Sequence, residues 1–165
     1  SFMLALLSAE RNVLGIDYDN DKIDFCNNSF LCKNRNIKFL CADSRTVDIP
    51  KADAILFNDS LHYVDVESQR SILLKSVASL NEGGMILVRD GDVSQTEKHE
   101  KIKRTELWST RIIKFNRTST ELVFVSEKWM RDFAEENNLK IKIHNCDKGS
   151  SETLYILTKQ EDDKR

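Results

Sequence analysis

The short segment Asn12–Asp17 limits what this chain can fold into more than any other part of the sequence. It reads Asn-Val-Leu-Gly-Ile-Asp, which is typical of a buried strand that ends on a carboxylate. A helical pattern follows at once, with Asp19 placed to cap it and with Ile23, Cys26 and Phe30 at helical spacing. A strand that runs directly into a helix is the building unit of α/β proteins, in which the sheet is largely parallel.

The same alternation of strand and helix continues along the chain. Helices are predicted at 1–10, 19–33 and 65–80, and strands at 12–16, 37–42, 52–57 and 85–88. Asn81-Glu82-Gly83-Gly84 is predicted to end the third helix, because glycine readily takes the left-handed conformation. Strands at 140–146 and 153–158, joined by a turn, predict an antiparallel hairpin. We therefore expect an α/β fold with a mostly parallel sheet, this closing hairpin, and helices on both faces.

Length and composition exclude several classes of protein. A chain of 165 residues suits one domain, which we place at 1–160, followed by a charged, disordered tail at 161–165. The net charge of −2 provides no basic field for nucleic acid, and no apolar run is long enough for stable insertion in a membrane. The four cysteines form no CxxC pair, so we expect reduced thiols in a cytoplasmic protein and no metal site.

Carboxylates stand at the ends of three successive predicted strands, as Asp17, Asp43 and Asp59. In a parallel α/β sheet, ligands bind at the carboxyl ends of the strands, and Asp90 also stands at such an end, after the strand predicted at 85–88. There Asp17 is placed to accept hydrogen bonds from two ribose hydroxyls, and Asp43 from an exocyclic amine such as that of adenine. For any single one of these acids, a role as a helix cap or a turn former is the better explanation. Three strand ends in one fold favour a ligand.

The order and spacing of four segments resemble a class I S-adenosylmethionine-dependent methyltransferase. Val13–Asp19 is similar to the second strand of that family with its ribose-binding acid, and Cys41–Asp43 to the end of its third strand, beside the adenine. Asp53–Tyr63 resembles the fourth strand and the segment under the methyl donor. Leu80–Val88 resembles the turn and the fifth strand, although the family often has proline where Glu82 stands. The resemblance extends from residue 1 to about 160.

This resemblance implies a Rossmann-like methyltransferase fold and methyl transfer from S-adenosylmethionine to a small-molecule or lipid-like acceptor. The residues implied to bind the cofactor are Asp17, Tyr18, Asp43, Ser44, Asn58 and Asp59. His62 is the candidate base, with a histidine packed at the start of a helix as an equally good explanation. Tyr63 and Trp108 are candidates to line the acceptor pocket, although a core or lid anchor explains Trp108 better.

The segment 90–117 should decide which acceptor is used. It is rich in charge but carries interleaved apolar residues, and we predict that it covers the main sheet as a substrate lid. Its lysines and arginines would suit an anionic amphiphile such as a lipid or an acyl-carrier-linked group. An ordinary amphipathic helix with solvated charges explains the pattern better. The acceptor molecule and atom therefore stay open.

The family's first strand and Gly-x-Gly loop have no counterpart in these residues. We expect that this sequence is an N-terminally truncated part of a longer chain. The N-terminal remainder of the same chain would then be its partner, and the fragment alone would bind cofactor weakly or not at all. The absent strand would lie between the strands at 12–16 and 52–57. Two alternatives stay open: a nicotinamide-dependent oxidoreductase half, and a non-catalytic scaffold domain that keeps the fold.

Overall fold

The computed structural model describes residues 1–33, 36–91, 122–145 and 152–159. The chain divides into two compact units, Ser1–Asp48 and Ile49–Arg165, and each unit has its own sheet. The expectation of one domain over 1–160 stays a prediction. The tail at 161–165 and most of the predicted lid lie outside the described residues.

The N-terminal unit is an α/β arrangement around two parallel strands. Its elements are α1 (Phe2–Leu7), β1 (Val13–Asp17), α2 (Asn20–Asn27), a 3-10 turn (Phe30–Cys32) and β2 (Ile37–Cys41). In the parallel pair, Val13 lies opposite Ile37 and Asp17 opposite Cys41. Both strands therefore end at the same edge of this small sheet.

A glycine allows close packing across the two strands of this unit. Gly15 lies opposite Phe39, and a Cβ atom at Gly15 would stand 2.6 Å from Cδ1 of the Phe39 ring. The ring thus occupies the space that a side chain at Gly15 would need. On its other side the Phe39 ring meets the ring of Phe2, with 5.0 Å between centroids.

Both helices of this unit end earlier than their sequence pattern predicts. The first helix ends at Leu7 rather than near Glu10, because Ser8 is extended and its Oγ accepts the backbone N–H of Glu10. The second ends at Asn27, so Phe30 falls in the 3-10 turn and is 75% exposed. The apolar face that we predicted for this helix is thus reduced chiefly to Ile23.

The C-terminal unit contains a mixed four-stranded sheet. Its elements are β3 (Ala52–Asn58), a 3-10 turn (Leu61–Tyr63), α3 (Val66–Ser79), β4 (Leu80–Gly91), α4 (Glu127–Glu136), β5 (Leu139–Asn145) and β6 (Glu152–Lys159). The strand order is β3-β4-β6-β5. β3 and β4 are parallel, whereas β6 runs antiparallel to both β4 and β5. The predicted C-terminal hairpin strands do pair, but two of the four strand pairs among the described residues are antiparallel, so the mostly parallel sheet is not established.

One apolar core holds the C-terminal unit together. Side chains of β4 and β6 pack against α3 and α4, with the core formed by Leu61, Ile72, Leu73, Leu80, Ile86, Val88, Val125, Met130, Phe133, Ala134, Leu139, Tyr155 and Leu157. Burial of such side chains is the main favourable contribution to folding. Two side chains cap the helices: Asp65 accepts the N–H of Ser68, and Ser126 accepts the N–H of Trp129.

The glycine pair predicted to end the third helix lies within β4 instead, because α3 already ends in front of Leu80, which is extended. α3 stops at Ser79, and Gly83 has a φ of +69°, in the left-handed region. A Cβ at Gly84 would stand 3.0 Å from the carbonyl oxygen of Asn81, so the backbone is closely packed there. The following strand is longer than predicted, because β4 begins at Leu80 rather than at Met85.

Candidate functional sites

In the N-terminal unit, Asp17 and Asp43 lie at the same edge of the parallel pair. Asp17 is the last residue of β1, and Asp43 follows the end of β2 by two residues. The backbone continues the ladder past the strands, since Ala42 N donates to Asp17 O at 3.0 Å. The tips of the two strands therefore bring the two predicted nucleoside-binding acids to one rim.

The start of α2 holds the Asp17 carboxylate. Its Oδ1 accepts the backbone N–H of Asp19 at 2.9 Å, and its Oδ2 lies 4.0 Å from Nζ of Lys22. Asp19, which is buried, caps the helix as predicted by accepting the N–H groups of Asp21 and Lys22. The Asp17 side chain keeps 39% of its surface exposed, so its orientation is fixed while it remains open to a ligand.

An arginine that the sequence did not single out holds Asp43. Nε of Arg45 donates to both carboxylate oxygens at 3.0 Å, and Nη2 donates to Oδ2 at 2.6 Å. The backbone N–H of Arg45 also donates to Oδ1 at 2.9 Å, which closes a local turn. The two other residues predicted here lie nearby in the chain, Ser44 half-buried and Tyr18 46% exposed.

In the C-terminal unit, Asn58 and Asp59 lie at the end of β3 beside Arg89 of β4. Asn58 is opposite Arg89 in the parallel register, and Asp59 N donates to the carbonyl oxygen of Arg89 at 2.9 Å. The Arg89 guanidinium bridges two carboxylates, those of Asp59 and of Glu152 at the start of β6. Asp59 has a φ of +49°, which is uncommon for a residue with a side chain and is typical of turns and functional sites.

The charge state of Asp59 reflects opposing influences. Burial raises the pKa of the Asp59 carboxyl, and the neighbouring carboxylates of Asp90 and Glu152 raise it further. The Arg89 guanidinium acts in the opposite direction and lowers it, as His62 does. The net direction is upward, because removal from water disfavours the charged form more than the arginine favours it.

The most deeply buried polar pair in this unit is His62 with Asp90. Nδ1 of His62 lies 2.5 Å from Oδ1 of Asp90, and the side chains are 2% and 1% exposed. The same Oδ1 accepts the backbone N–H of Gly91 at 2.8 Å. A carboxylate at Nδ1 favours the tautomer in which Nδ1 carries the hydrogen and Nε2 carries a lone pair. Among the described residues, Nε2 of His62 and Oδ2 of Asp90 have no hydrogen-bond partner.

Aromatic rings and a buried amide surround this pair. The His62 ring lies 4.2 Å from the Tyr63 ring and 4.7 Å from the Phe124 ring, between centroids. Nε2 of Gln69 donates to the carbonyl oxygens of Leu61, Val64 and Val123 at 3.1, 3.0 and 2.6 Å. The 3-10 turn that carries His62 is therefore held by hydrogen bonds from Gln69, while the His62 ring itself contacts two aromatic rings.

The sequence found part of these arrangements. It singled out the acids at the strand ends and His62, but not the partners Arg45, Arg89, Gln69 and Phe124. An arginine two residues after a loop acid is a weak signal for Arg45, whereas the other three are placed by register and tertiary packing. Trp108 lies outside the described residues, so its role stays a prediction, as do the roles of all the other predicted site residues.

Metal ligands and membrane spans were searched for in the same described ranges. No group of three or more histidine, cysteine, aspartate or glutamate side chains there could hold a metal ion. None of the helices in that part of the chain has the length and apolar character that crossing a bilayer requires.

Strands that lead into helices, with acids where the strands end, define an α/β protein of the nucleoside-cofactor-binding class. A family described as a methyltransferase domain matches residues 1–84. The chain thus belongs to this family of class I S-adenosylmethionine-dependent methyltransferases. The family expected from the sequence is confirmed, and with it S-adenosylmethionine as the family's cofactor.

Individual proteins agree with the family assignment. Carboxy-S-adenosyl-L-methionine synthase of Shewanella piezotolerans is 25% identical over 155 residues, which cover 84% of this chain and 62% of that protein. Magnesium protoporphyrin IX methyltransferase of Synechocystis with bound S-adenosylhomocysteine matches with a TM-score of 0.68 at 12% identity, over 97% of this chain and 68% of that one. Human N-acetylserotonin methyltransferase matches with a TM-score of 0.67 at 15% identity. The match covers 94% of this chain and 43% of that protein. At these identities the solved structures show the fold alone.

Proposed function

We propose that this protein transfers the methyl group of S-adenosylmethionine to a hydroxyl or amine of a small-molecule or lipid-like acceptor. The observation that carries the proposal is the His62–Asp90 pair, in a chain of this family. Family membership favours methyl transfer over the oxidoreductase alternative. Because the chain spans 62% of the length of the first relative it matches, the activity of the whole protein is part of the proposal. A cytoplasmic location stays a prediction as well.

Asp17 and Asp43 are proposed to hold the nucleoside. S-adenosylmethionine supplies an already activated methyl group, so the protein mainly has to position the reactants. The Asp17 carboxylate, oriented by the N–H of Asp19, would accept hydrogen bonds from the ribose hydroxyls. The Asp43 carboxylate, oriented by Arg45, would accept one from the exocyclic amine of adenine.

His62 is proposed to take the proton that the acceptor loses. With the hydrogen on Nδ1 facing Asp90, Nε2 can accept a proton from a hydroxyl or amine. The Asp90 carboxylate would then stabilise the imidazolium that forms. General-base assistance of this kind typically contributes a factor of about 10² to 10⁴ in rate.

Binding of S-adenosylhomocysteine to the full-length protein, measured by calorimetry, tests the proposal. We expect Asp17→Ala to weaken binding by about 10- to 100-fold, the range for hydrogen bonds to a charged group. Asp48→Ala, which removes an exposed acid of the same unit, is the matched control and should leave the affinity unchanged. Absence of binding by the unaltered protein would favour the non-catalytic scaffold instead.

A second candidate reaction follows from the name of the relative at 25% identity, which is a synthase of carboxy-S-adenosyl-L-methionine. In that case the cofactor itself would gain a carboxyl group. A new carboxylate calls for a cation, and at the end of β3 the guanidinium of Arg89 already bridges two carboxylates. Mass spectrometry of the cofactor after turnover distinguishes demethylated from carboxylated product.

A further inference from the structure

Residues 122–125 lie directly over the proposed base. Val123 N donates to the carbonyl oxygen of His62 at 2.9 Å, and Val123 O accepts from Nε2 of Gln69 at 2.6 Å. The next residue, Phe124, places its ring against the His62 ring and is 7% exposed. One short stretch of backbone thus covers His62 and is tied both to the turn that carries it and to α3.

The burial of His62 under this segment conflicts with the role of general base that is proposed for it. A base has to meet the proton that it removes, within hydrogen-bond distance or through one water. Yet His62 is 2% exposed, and its Nε2, the atom that would accept the proton, has no partner among the described residues. A buried nitrogen without a hydrogen bond is unfavourable, so Nε2 calls for a partner that the described residues do not supply.

The cover lies outside regular secondary structure, since residues 122–126 belong to no helix or strand. Irregular segments commonly open at a smaller free-energy cost than the whole domain. In contrast, His62 and Asp90 are anchored on the 3-10 turn and on β4, and would stay in place.

We propose that Phe124 controls access of the acceptor to His62. The 122–125 segment opens locally, the Phe124 ring leaves the face of the imidazole, and the acceptor enters the opened space with its hydroxyl or amine in the imidazole plane at Nε2. Because that space lies beside the ring of Tyr63, the chemical class that fits is a flat, apolar body that carries the nucleophile. This inference rests on the proposed function and adds to it the residue that selects the acceptor.

Modification of histidine by diethyl pyrocarbonate, located by peptide mass spectrometry, tests the cover without any acceptor. His144, which is exposed on β5, serves as the internal reference. We expect His62 to react at least 10-fold more slowly than His144 in the unaltered protein, and Phe124→Ala to accelerate His62 at least 10-fold, with Phe124→Leu intermediate. Phe133→Ala, a buried change in the same core, controls for general loosening and should leave the His62 rate unchanged.

The urea dependence of the His62 rate separates local from global opening. Local opening exposes little surface, so the logarithm of the rate should rise much less steeply with urea than global unfolding predicts. A slope equal to that of global unfolding, a His62 rate equal to that of His144, or no acceleration in Phe124→Ala would overturn the inference. If Phe124→Ala does not fold, Phe124→Leu and this slope decide. The S-adenosylhomocysteine titration is an independent experiment. If the protein bound no cofactor while His62 still reacted slowly, the proposed function would be refuted, but the covering of His62 by residues 122–125 would not.

Discussion

At the scale of single residues, the imidazole of His62 owes its chemical character to one neighbour. Asp90 is 28 positions away in the chain, and its Oδ1 reaches Nδ1 of His62 only because β4 runs beside the strand that leads to His62. The sequence marked each residue separately, one as a candidate base and the other as an acid at a strand end. Nothing in the spacing of the two predicted that they would pair.

Asp90→Leu should release the hydrogen of His62 from Nδ1. The substitution removes the oxygen that faces Nδ1, so Nδ1 loses its acceptor and the tautomer with the hydrogen on Nε2 becomes accessible. Long-range ¹H–¹⁵N NMR of the imidazole distinguishes the two tautomers, with His144 as the internal control. A proton on Nε2 already in the unaltered protein would contradict the base role proposed for His62.

Asp59 should make stability depend on pH in an unusual direction for a carboxylate. Its pKa is raised in the folded state above the ordinary value near 4, so the folded state binds the proton more readily than the unfolded state. Stability from this group is therefore present at about pH 4 and is lost as pH rises through the raised pKa. Urea unfolding across this range should show the unaltered protein losing stability relative to Asp59→Asn, which also tolerates the positive φ. If the unaltered protein instead gained stability relative to Asp59→Asn as pH rises, Arg89 would outweigh burial.

At the scale of elements, local signals predicted more than tertiary ones. The strands at Asp17 and Asn58 and the hairpin strands were predicted close to their observed bounds, because their apolar runs and flanking turns are local features. The start of β4 at Leu80 was missed, because pairing with Ala52 of β3, rather than sequence pattern, extends the strand. The partners of the site acids, such as Arg89, were missed for the same reason, since register placed them.

The cap of α4 is the element-scale contact most open to test. Oγ of Ser126 accepts the N–H of Trp129 at 3.1 Å and satisfies one of the first four amides of the helix. Ser126→Ala should lower the free energy of unfolding by about 1 kcal/mol. Ser71→Ala on the exposed side of α3 is the matched control and should change it by less than about 0.5 kcal/mol. Equal effects of both substitutions would show that the cap does not stabilise α4.

At the scale of the whole molecule, the two units differ in how much apolar surface they bury. In the described part of the N-terminal unit the buried hydrophobic residues are Ala5, Ile23 and Ile37, whereas the core formed by the described residues of the C-terminal unit has 13 members. Stability within a protein follows the local density of buried contacts. The sequence predicted a single domain, and apolar periodicity alone did not indicate this imbalance.

Amide hydrogen exchange should report the imbalance directly. We expect amides of the β1–β2 pair to exchange at least 10-fold faster than those of β4 and β6, which lie inside the four-stranded sheet. Mass spectrometry of peptic peptides resolves these strands. Uniform protection across both units would mean that the chain opens only as a whole.

The guanidinium of Arg89 ties three strands at one edge of the larger sheet, with Asp59 beyond β3, Arg89 on β4 and Glu152 on β6. The two ion pairs of Arg89 couple positions that are remote in the chain. Shortening the side chain at Glu152 would remove one ion pair and let the guanidinium shift together with Asp59 and its neighbour Asn58. Through Arg89, Glu152 thereby helps to position Asn58 and Asp59 at the end of β3, the two residues of this unit proposed to bind the cofactor.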